Sequence, residues 1–400
     1  MPDAHWDRRR LLRATGALVL AAGLAACTAP GGDTGTTPSG AGGGGQGLPP
    51  TITILSIRAL TGPVSFAGIN AQKGIDLAVE QVAKDGLLGG STLEIETKDV
   101  GASTQEAASA ASQAIADPSY AAILGPEASA QAAAVSPIAQ SSGMPVAYVQ
   151  AGSGGVLVGD YTFRVTPPAQ SYFGVVGDHL SREDVRTASV LFNSGNPTLA
   201  ELGQTVVPQL GAQRGFRIVG SAGVEVTAQD FTTAASQIAG QAPDVAFLML
   251  TGPQSPVAIT QLRQAGFTGE IVGMSAMGAG NLAPAGAQAA GAVWPSNFTA
   301  TQSAPSSQEF VRAYQAKYGG EAPNNYAAEA YDAVWFLARG IAKANSTDRA
   351  AVQHGLDAVA KDGFAGAQGE LTFDGHDARV PGVLVRWDGA AEAVLADGTS

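Results

Sequence analysis

From residue 51 onward, apolar runs of strand length alternate with stretches of helical periodicity, in two successive series. Residues 51–57 form an apolar, β-branched run of the kind found in buried parallel strands. Residues 70–84 place Ile75, Val79 and Val82 on one helical face. Strand patterns at 92–99, 120–124 and 145–149 are interleaved with helical patterns at 103–116 and 128–141. The alternation restarts after Phe163-Arg164-Val165, with helices at 170–180, 197–210, 231–239 and 256–265 and strands at 187–192, 217–219, 245–250 and 270–273. A more helical section spans 308–361, and two strand-like runs, 370–373 and 383–387, follow it. Repeated βα units specify parallel sheets covered by helices on both faces. Two series specify two lobes, so the expected fold class is α/β with two doubly wound parallel-sheet lobes. Ligands of such sheets bind outside the carboxyl ends of the strands.

Composition supports this and narrows the function. With 400 residues, 45% of them hydrophobic and 14% charged, the chain can bury a large core and exceeds one ordinary domain. A formal net charge of −12 argues against a nucleic-acid partner, which requires basic residues to neutralise phosphates. The single cysteine excludes an intrachain disulfide. None of the four histidines (His5, His179, His354, His376) has metal-ligand spacing with another His or Cys. No phosphate-cradling loop or dinucleotide fingerprint appears, and no cofactor is expected. Ser153 lies in Gly152-Ser153-Gly154, which lacks the spacing of a nucleophile elbow, and no histidine is placed by sequence to activate it. Glu127 and Asp99 are candidates for paired carboxylates whose separation the sequence leaves open. The expectation is a protein that is not an enzyme.

The N-terminus indicates export. Arg8, Arg9, Arg10 and Arg13 form a positive region, and apart from Arg13 residues 11–26 are largely apolar and free of acids. With the small residues that follow, this is the layout of a signal peptide at 1–26, shorter than the roughly 20 apolar residues needed to span a bilayer. Leu24-Ala25-Ala26-Cys27 resembles the lipobox of bacterial lipoproteins. That resemblance implies a diacylglycerol on the Cys27 sulfur and cleavage before it. The alternative for Cys27 is a buried apolar cysteine in a core helix. Arg9-Arg10-Leu11-Leu12-Arg13 also resembles a twin-arginine export signal. Residues 30–50 are almost all Gly, Thr, Ser and Pro, so 27–50 reads as a lipidated cysteine followed by a flexible tether. The expected location is the outer face of a bacterial cell membrane.

A set of ordered landmarks carries a family resemblance over residues 51–400. They are Thr61-Gly62-Pro63, Gly68, Gly74-Ile75, Asp99, Gly125, Tyr161-Thr162-Phe163-Arg164, Asp230-Phe231-Thr232, Pro243-Asp244-Val245, Leu262-Arg263-Gln264-Ala265-Gly266 and Ala330-Tyr331-Asp332-Ala333-Val334. In this order and spacing the chain resembles the branched-chain amino-acid-type substrate-binding proteins of ABC transporters, which have the type I periplasmic-binding fold. The resemblance implies two lobes joined by three crossings, one lobe at 51–168 plus 299–376 and the other at 169–298 plus 377–400. It implies capture of a small molecule by a monomer and delivery to ABC permease subunits, with the membrane reached through the Cys27 anchor. A sensor or cell-envelope regulator built on the same fold is the alternative.

Ligand candidates follow from the same resemblance. Ser129, at the start of the Ala-rich helix, aligns with the family serine that contacts the ligand carboxylate; its other role is an N-cap or first-turn residue. Gln150, Ala151, Gly152 and Ser153 align with the second ligand loop, or form a Gly-rich turn. Phe66 lies where the family puts an aromatic over the ligand, or in the core. Lobe two departs from the amino-acid pattern. No aromatic occurs at 193–197, which contains Asn196, or at 251–255, and the acid that accepts the ligand ammonium is replaced near Ser275. Glu127 would supply that charge if it points inward, or it is a solvated helix-start acid. Tyr326 is a further cleft candidate, or caps the helix at 325–344.

Overall fold

The computed structural model describes residues 47–397 except Pro63 and Ala279. The segment read as a signal peptide, Cys27 and most of the expected tether lie outside the described residues.

Strands β1 (Thr51–Arg58), β2 (Thr92–Asp99), β3 (Tyr120–Leu124), β4 (Val146–Tyr148) and β5 (Thr162–Arg164) are parallel and lie in the order 2-1-3-4-5. Strands β6 (Thr187–Asn193), β7 (Arg217–Val224), β8 (Val245–Met249), β9 (Glu270–Val272) and β10 (Val293–Ser296) repeat that arrangement in a second sheet, in the order 7-6-8-9-10. Three later strands, β11 (Phe364–Gly366), β12 (Gly369–Asp374) and β13 (Asp377–Arg379), extend the first sheet beyond β5. β14 (Val383–Trp387) and β15 (Glu392–Asp397) extend the second beyond β10 as antiparallel edge strands. The result is two mixed, mainly parallel α/β lobes, each with a switch point between its first and third strands.

The local sequence explains these elements and the places where pattern reading stopped short. β1 is buried from Ile54 to Arg58, as a central parallel strand must be. The first helix, Ser65–Lys84, begins ahead of its apolar periodicity because Phe66 and Ile69 in its first turns are exposed. The helical stretch from Pro197 to Arg214 contains a π-turn at Leu202–Val206. Pro208 lies just beyond it and has no N–H for the regular ladder. β5, β10, β11 and β13 are only three or four residues long, too short to show a period.

The lobe crossings fall after β5, after β10 and between β13 and β14. The third differs from the expected boundary at 376. Asp377 pairs in register with Arg164 of β5, and its carboxylate meets that guanidinium at 2.6 Å. Residues 377–379 therefore belong to the first sheet, and the chain crosses at 380–382.

The core of the first lobe is organised around the helix Asn325–Ala344, most of whose residues are buried. It lies against Ser65–Lys84 with almost no space between the backbones. A Cβ added at Gly74 would sit 2.0 Å from the Ala327 carbonyl oxygen. Gly74→Ala is expected to destabilise the protein by about 1–3 kcal/mol despite alanine's higher helix propensity. Urea or thermal unfolding measures this, and an unchanged or raised midpoint would show that the two helices separate freely.

Candidate functional site

The carboxyl ends of both sheets face one cleft, and the loops that follow the strands line a cavity of about 160 Å³ there. An apolar cavity of about 150 Å³ holds a benzene-sized ring, which sets the scale. The cavity continues into a hollow of about 530 Å³ that shares Phe66, Ser275 and Asn325 with it.

The deepest fixed feature is an ion pair at the switch point of the first sheet. Arg58, the last residue of β1, donates from Nη1 to Glu127 Oε1 at 2.7 Å and from Nε to Ser56 Oγ at 2.9 Å. The other Glu127 oxygen accepts the Ala59 N–H at 2.9 Å. Both side chains are buried. Glu127 lines the cavity, yet it is neither a solvated helix-start acid nor a free charge, because Arg58 neutralises it. Gly125, two residues earlier, has φ 85° and comes so close to β1 that a Cβ would lie 2.5 Å from the Ile57 carbonyl oxygen.

Ser129 is the first residue of the helix Ser129–Ser142, whose N-cap, Ala128, has no capping side chain. The Ser129 hydroxyl accepts the Ser153 N–H at 3.2 Å and lies 2.9 Å from the Thr198 hydroxyl of the other lobe. A second bond between lobes runs from the Gly154 N–H to Glu201 at 2.9 Å. Gln150 has φ 61°, an uncommon conformation for a non-glycine residue. Its N–H donates to Thr166 Oγ1 at 2.8 Å, while its buried side-chain Nε2 has no hydrogen-bond partner.

Eight of the ten residues singled out by sequence line this cavity: Phe66, Glu127, Ser129, Gln150, Gly152, Asn196, Ser275 and Tyr326. Ala151 and Ser153 do not. Ala151 is fully buried in the core, and the carbonyls of both residues accept hydrogen bonds from Arg164 Nη1 at 2.8 and 2.7 Å. They hold the loop from behind. Asn196 also caps the helix after it, accepting from Thr198 and Leu199 N–H groups. Tyr326 is not the helix cap, since Asn324 accepts the Ala327 N–H. It packs edge-to-face on Phe66 with centroids 6.1 Å apart.

Two titratable lining residues, Tyr172 and Glu329, escaped the sequence reading. Tyr172 follows the first crossing and reaches Ser275 with its hydroxyl. Burial raises the hydroxyl pKa of both Tyr172 and Tyr326, so both rings stay neutral. Glu329 lies four residues into the helix Asn325–Ala344 and is buried. Its carboxylate accepts from Asn297 at 2.9 Å, Asn325 at 3.1 Å and Thr166 Oγ1 at 3.0 Å. Burial pushes its pKa up to about 7, against the opposing effect of those three donors. The available signal was a pair of acids, Glu329 and Asp332, three residues apart in a helix whose other residues from 327 to 338 are apolar or aromatic. Among the described residues that line the cavity, none is Lys, Arg or His.

Arg58→Met would leave Glu127 as a buried carboxylate without a cation. The expected loss is about 3–5 kcal/mol in an unfolding titration, largely recovered in Arg58→Met combined with Glu127→Gln. Equal stabilities for the single and double variants would show that the pair does not anchor the loop.

Comparison with known proteins agrees with this architecture. The periplasmic binding protein family matches residues 51–392. The Leu/Ile/Val-binding protein homolog 7 of Brucella abortus (strain 2308) is 23% identical over 332 residues, covering 77% of this chain and 81% of that protein. The leucine-binding protein LivK of Thermotoga maritima MSB8 superposes with a TM-score of 0.78 at 24% identity, covering 87% of this chain and 98% of that one. An ABC-transporter solute-binding protein of R. palustris, solved with benzoate, superposes with a TM-score of 0.79 at 19% identity, covering 87% and 96%. With its two switch-point sheets, three crossings and a cavity between the strand ends, the chain belongs to the periplasmic binding protein family and has its type I architecture.

Proposed function

We propose that this protein is an exported lipoprotein that captures a small molecule between its lobes and delivers it to an ABC permease. The observation that carries the reading is the cavity itself, walled by the strand ends of both sheets and bridged by Ser129 and Thr198. That contact is one pair of hydroxyls, beside the Gly154–Glu201 bond, and ligand groups can replace or supplement it as the lobes open and close. At the Ser129 end, the helix dipole and the unpartnered Gln150 Nε2 offer donors to a carboxylate or carbonyl. The remaining wall is mostly apolar or aromatic and suits a branched aliphatic or ring-sized group. LivK is described as leucine-binding and the R. palustris protein was solved with benzoate, and both chemistries match this scale.

A ligand present at about a hundred times its Kd adds roughly 2.7 kcal/mol to the folded state. Thermal unfolding of residues 48–400 against leucine, isoleucine, valine and small aromatic acids is therefore expected to show a rise of several degrees for one class. A flat response to all of them would oppose solute capture.

The export half of the proposal rests on Leu24-Ala25-Ala26-Cys27. In a bacterial host, full-length protein is expected in the membrane fraction, and Cys27→Ala is expected to release it from that fraction. Membrane retention of Cys27→Ala would remove the lipid-anchor reading.

A further inference from the structure

The cavity has one charged group whose charge the protein leaves uncompensated. Glu127 is matched by Arg58, but Glu329 meets three neutral donors and no cation among the described residues. It lines the cavity and is only 2% exposed. An ionised carboxylate so placed is costly unless a positive partner arrives or a proton binds. Opposite chemistry lies next to it. Thr166 Oγ1 accepts the Gln150 N–H and donates to Glu329, so the carboxylate adjoins the residue whose side-chain Nε2 is a buried donor without an acceptor. Ser275, in the second lobe, brings no charge to the cavity.

We infer that Glu329 is the group that recognises a positively charged nitrogen on the ligand, an ammonium or amidinium, from the first lobe. The inference rests on the solute-capture reading and narrows it. The ligand class becomes small molecules with a cationic N–H group and a compact apolar body, with zwitterions able to use the Gln150 and Ser129 end as well. A carboxylate alone would face Glu329 as a like charge.

Proton linkage gives the inference a distinct signature. Empty, Glu329 holds a proton near neutral pH because its carboxyl is pushed up to about 7. A cationic ligand selects the ionised form and so expels that proton. Binding should release about half a proton at pH 7, and affinity should fall as pH drops, approaching tenfold per unit below about pH 6. The titratable and charged groups around Glu329 are Tyr172, Tyr326, Asp332, the Arg58–Glu127 pair and Arg164, which is tied to Asp377. Burial keeps both tyrosines neutral over this range. Asp332 is also pushed up to about 7, but it is bound by the Ala367 and Gln368 N–H groups and does not line the cavity.

The test is isothermal calorimetry on residues 48–400 with four probes: L-leucine, benzamidine, benzoate and 4-methylpentanoate. Titrations at pH 7 in two buffers of different ionisation enthalpy count the protons released. The expected result is binding of leucine or benzamidine with proton release and at least tenfold weaker binding of the two anions. Glu329→Gln should weaken the cationic probe at least tenfold and abolish the release, whereas Asp332→Asn should preserve the release. Proton counting on the unaltered protein keeps the test decisive even if a variant fails to fold. Tight binding of benzoate or 4-methylpentanoate, cation binding without proton release, or unchanged affinity in a folded Glu329→Gln protein would each overturn this inference while leaving solute capture intact. If none of the four binds, the proposed function fails for this ligand scale and the inference fails with it.

Discussion

The buried ion pair between Arg58 and Glu127 fixes the geometry of the whole cleft. It joins the end of β1 to the loop after β3, across the point where the strand order reverses. Two βα loops diverge at that point and leave a crevice. The pair, together with the Ala59 N–H on the second Glu127 oxygen, sets how wide that crevice is. Helix Ser65–Lys84 then presses on the same turn, since a Cβ at Gly68 would lie 2.2 Å from the Ala59 carbonyl oxygen. Ser129 begins its helix two residues after Glu127, so the helix N-terminus that faces the cavity is placed by the same clamp. A pair this buried contributes little net stability over an apolar substitute. Its consequence is positional, and it also cancels the charge that Glu127 would otherwise present to a ligand.

A second polar system lies where the lobes connect. Thr166 from the first crossing and Asn297 from the second both donate to Glu329, and Asn297 donates to Gln368 Oε1 as well. Gln368 in turn reaches Asp332 at 3.0 Å. Two carboxylates one helical turn apart thus hold parts of two crossings through neutral donors. Such a network is sensitive to any missing partner and defines a narrow set of geometries. The contacts between lobes at the cleft, by contrast, are few hydroxyl and amide bonds, each worth only about 1 kcal/mol net. Rigid connections with weak facing surfaces are the conditions under which a ligand can shift an opening and closing equilibrium.

The fold was legible because parallel strands buried on both faces are written as continuous apolar runs, and β1, β3, β6 and β8 are of that kind. β7 was read at a third of its length because its later residues alternate Ser, Ala and Gly at a sheet edge. The site was partly legible for a related reason. Residues just past strand ends are forced into the cleft by topology, which covers Glu127, Ser129, Gln150, Asn196 and Ser275. Ala151 and Ser153 share that position in sequence but turn back on Arg164, a bond between residues more than ten apart that no spacing rule contains. Glu329 and Tyr172 lie on a helix and a crossing rather than after a strand. Only the assembled lobes bring them to the cavity.

The two lobes contribute unequal chemistry. Every second-lobe residue in the lining, from Tyr172 through Thr198, Leu250 and Met274 to Ser275, is uncharged. Both carboxylates, the unpartnered Gln150 amide and the exposed helix start belong to the first lobe. Gln150 is also the lining residue held at positive φ, so its loop carries backbone strain where its side-chain donor waits for an acceptor. Under the proposed function the first lobe reads charge while the second supplies an uncharged cover. Closing that cover removes water from the polar groups of the first lobe, which strengthens each correct contact and penalises each unmatched one. Discrimination among ligands then depends on closure itself, because a group left unpaired beside Glu329 or Gln150 becomes costly only when the second lobe excludes water.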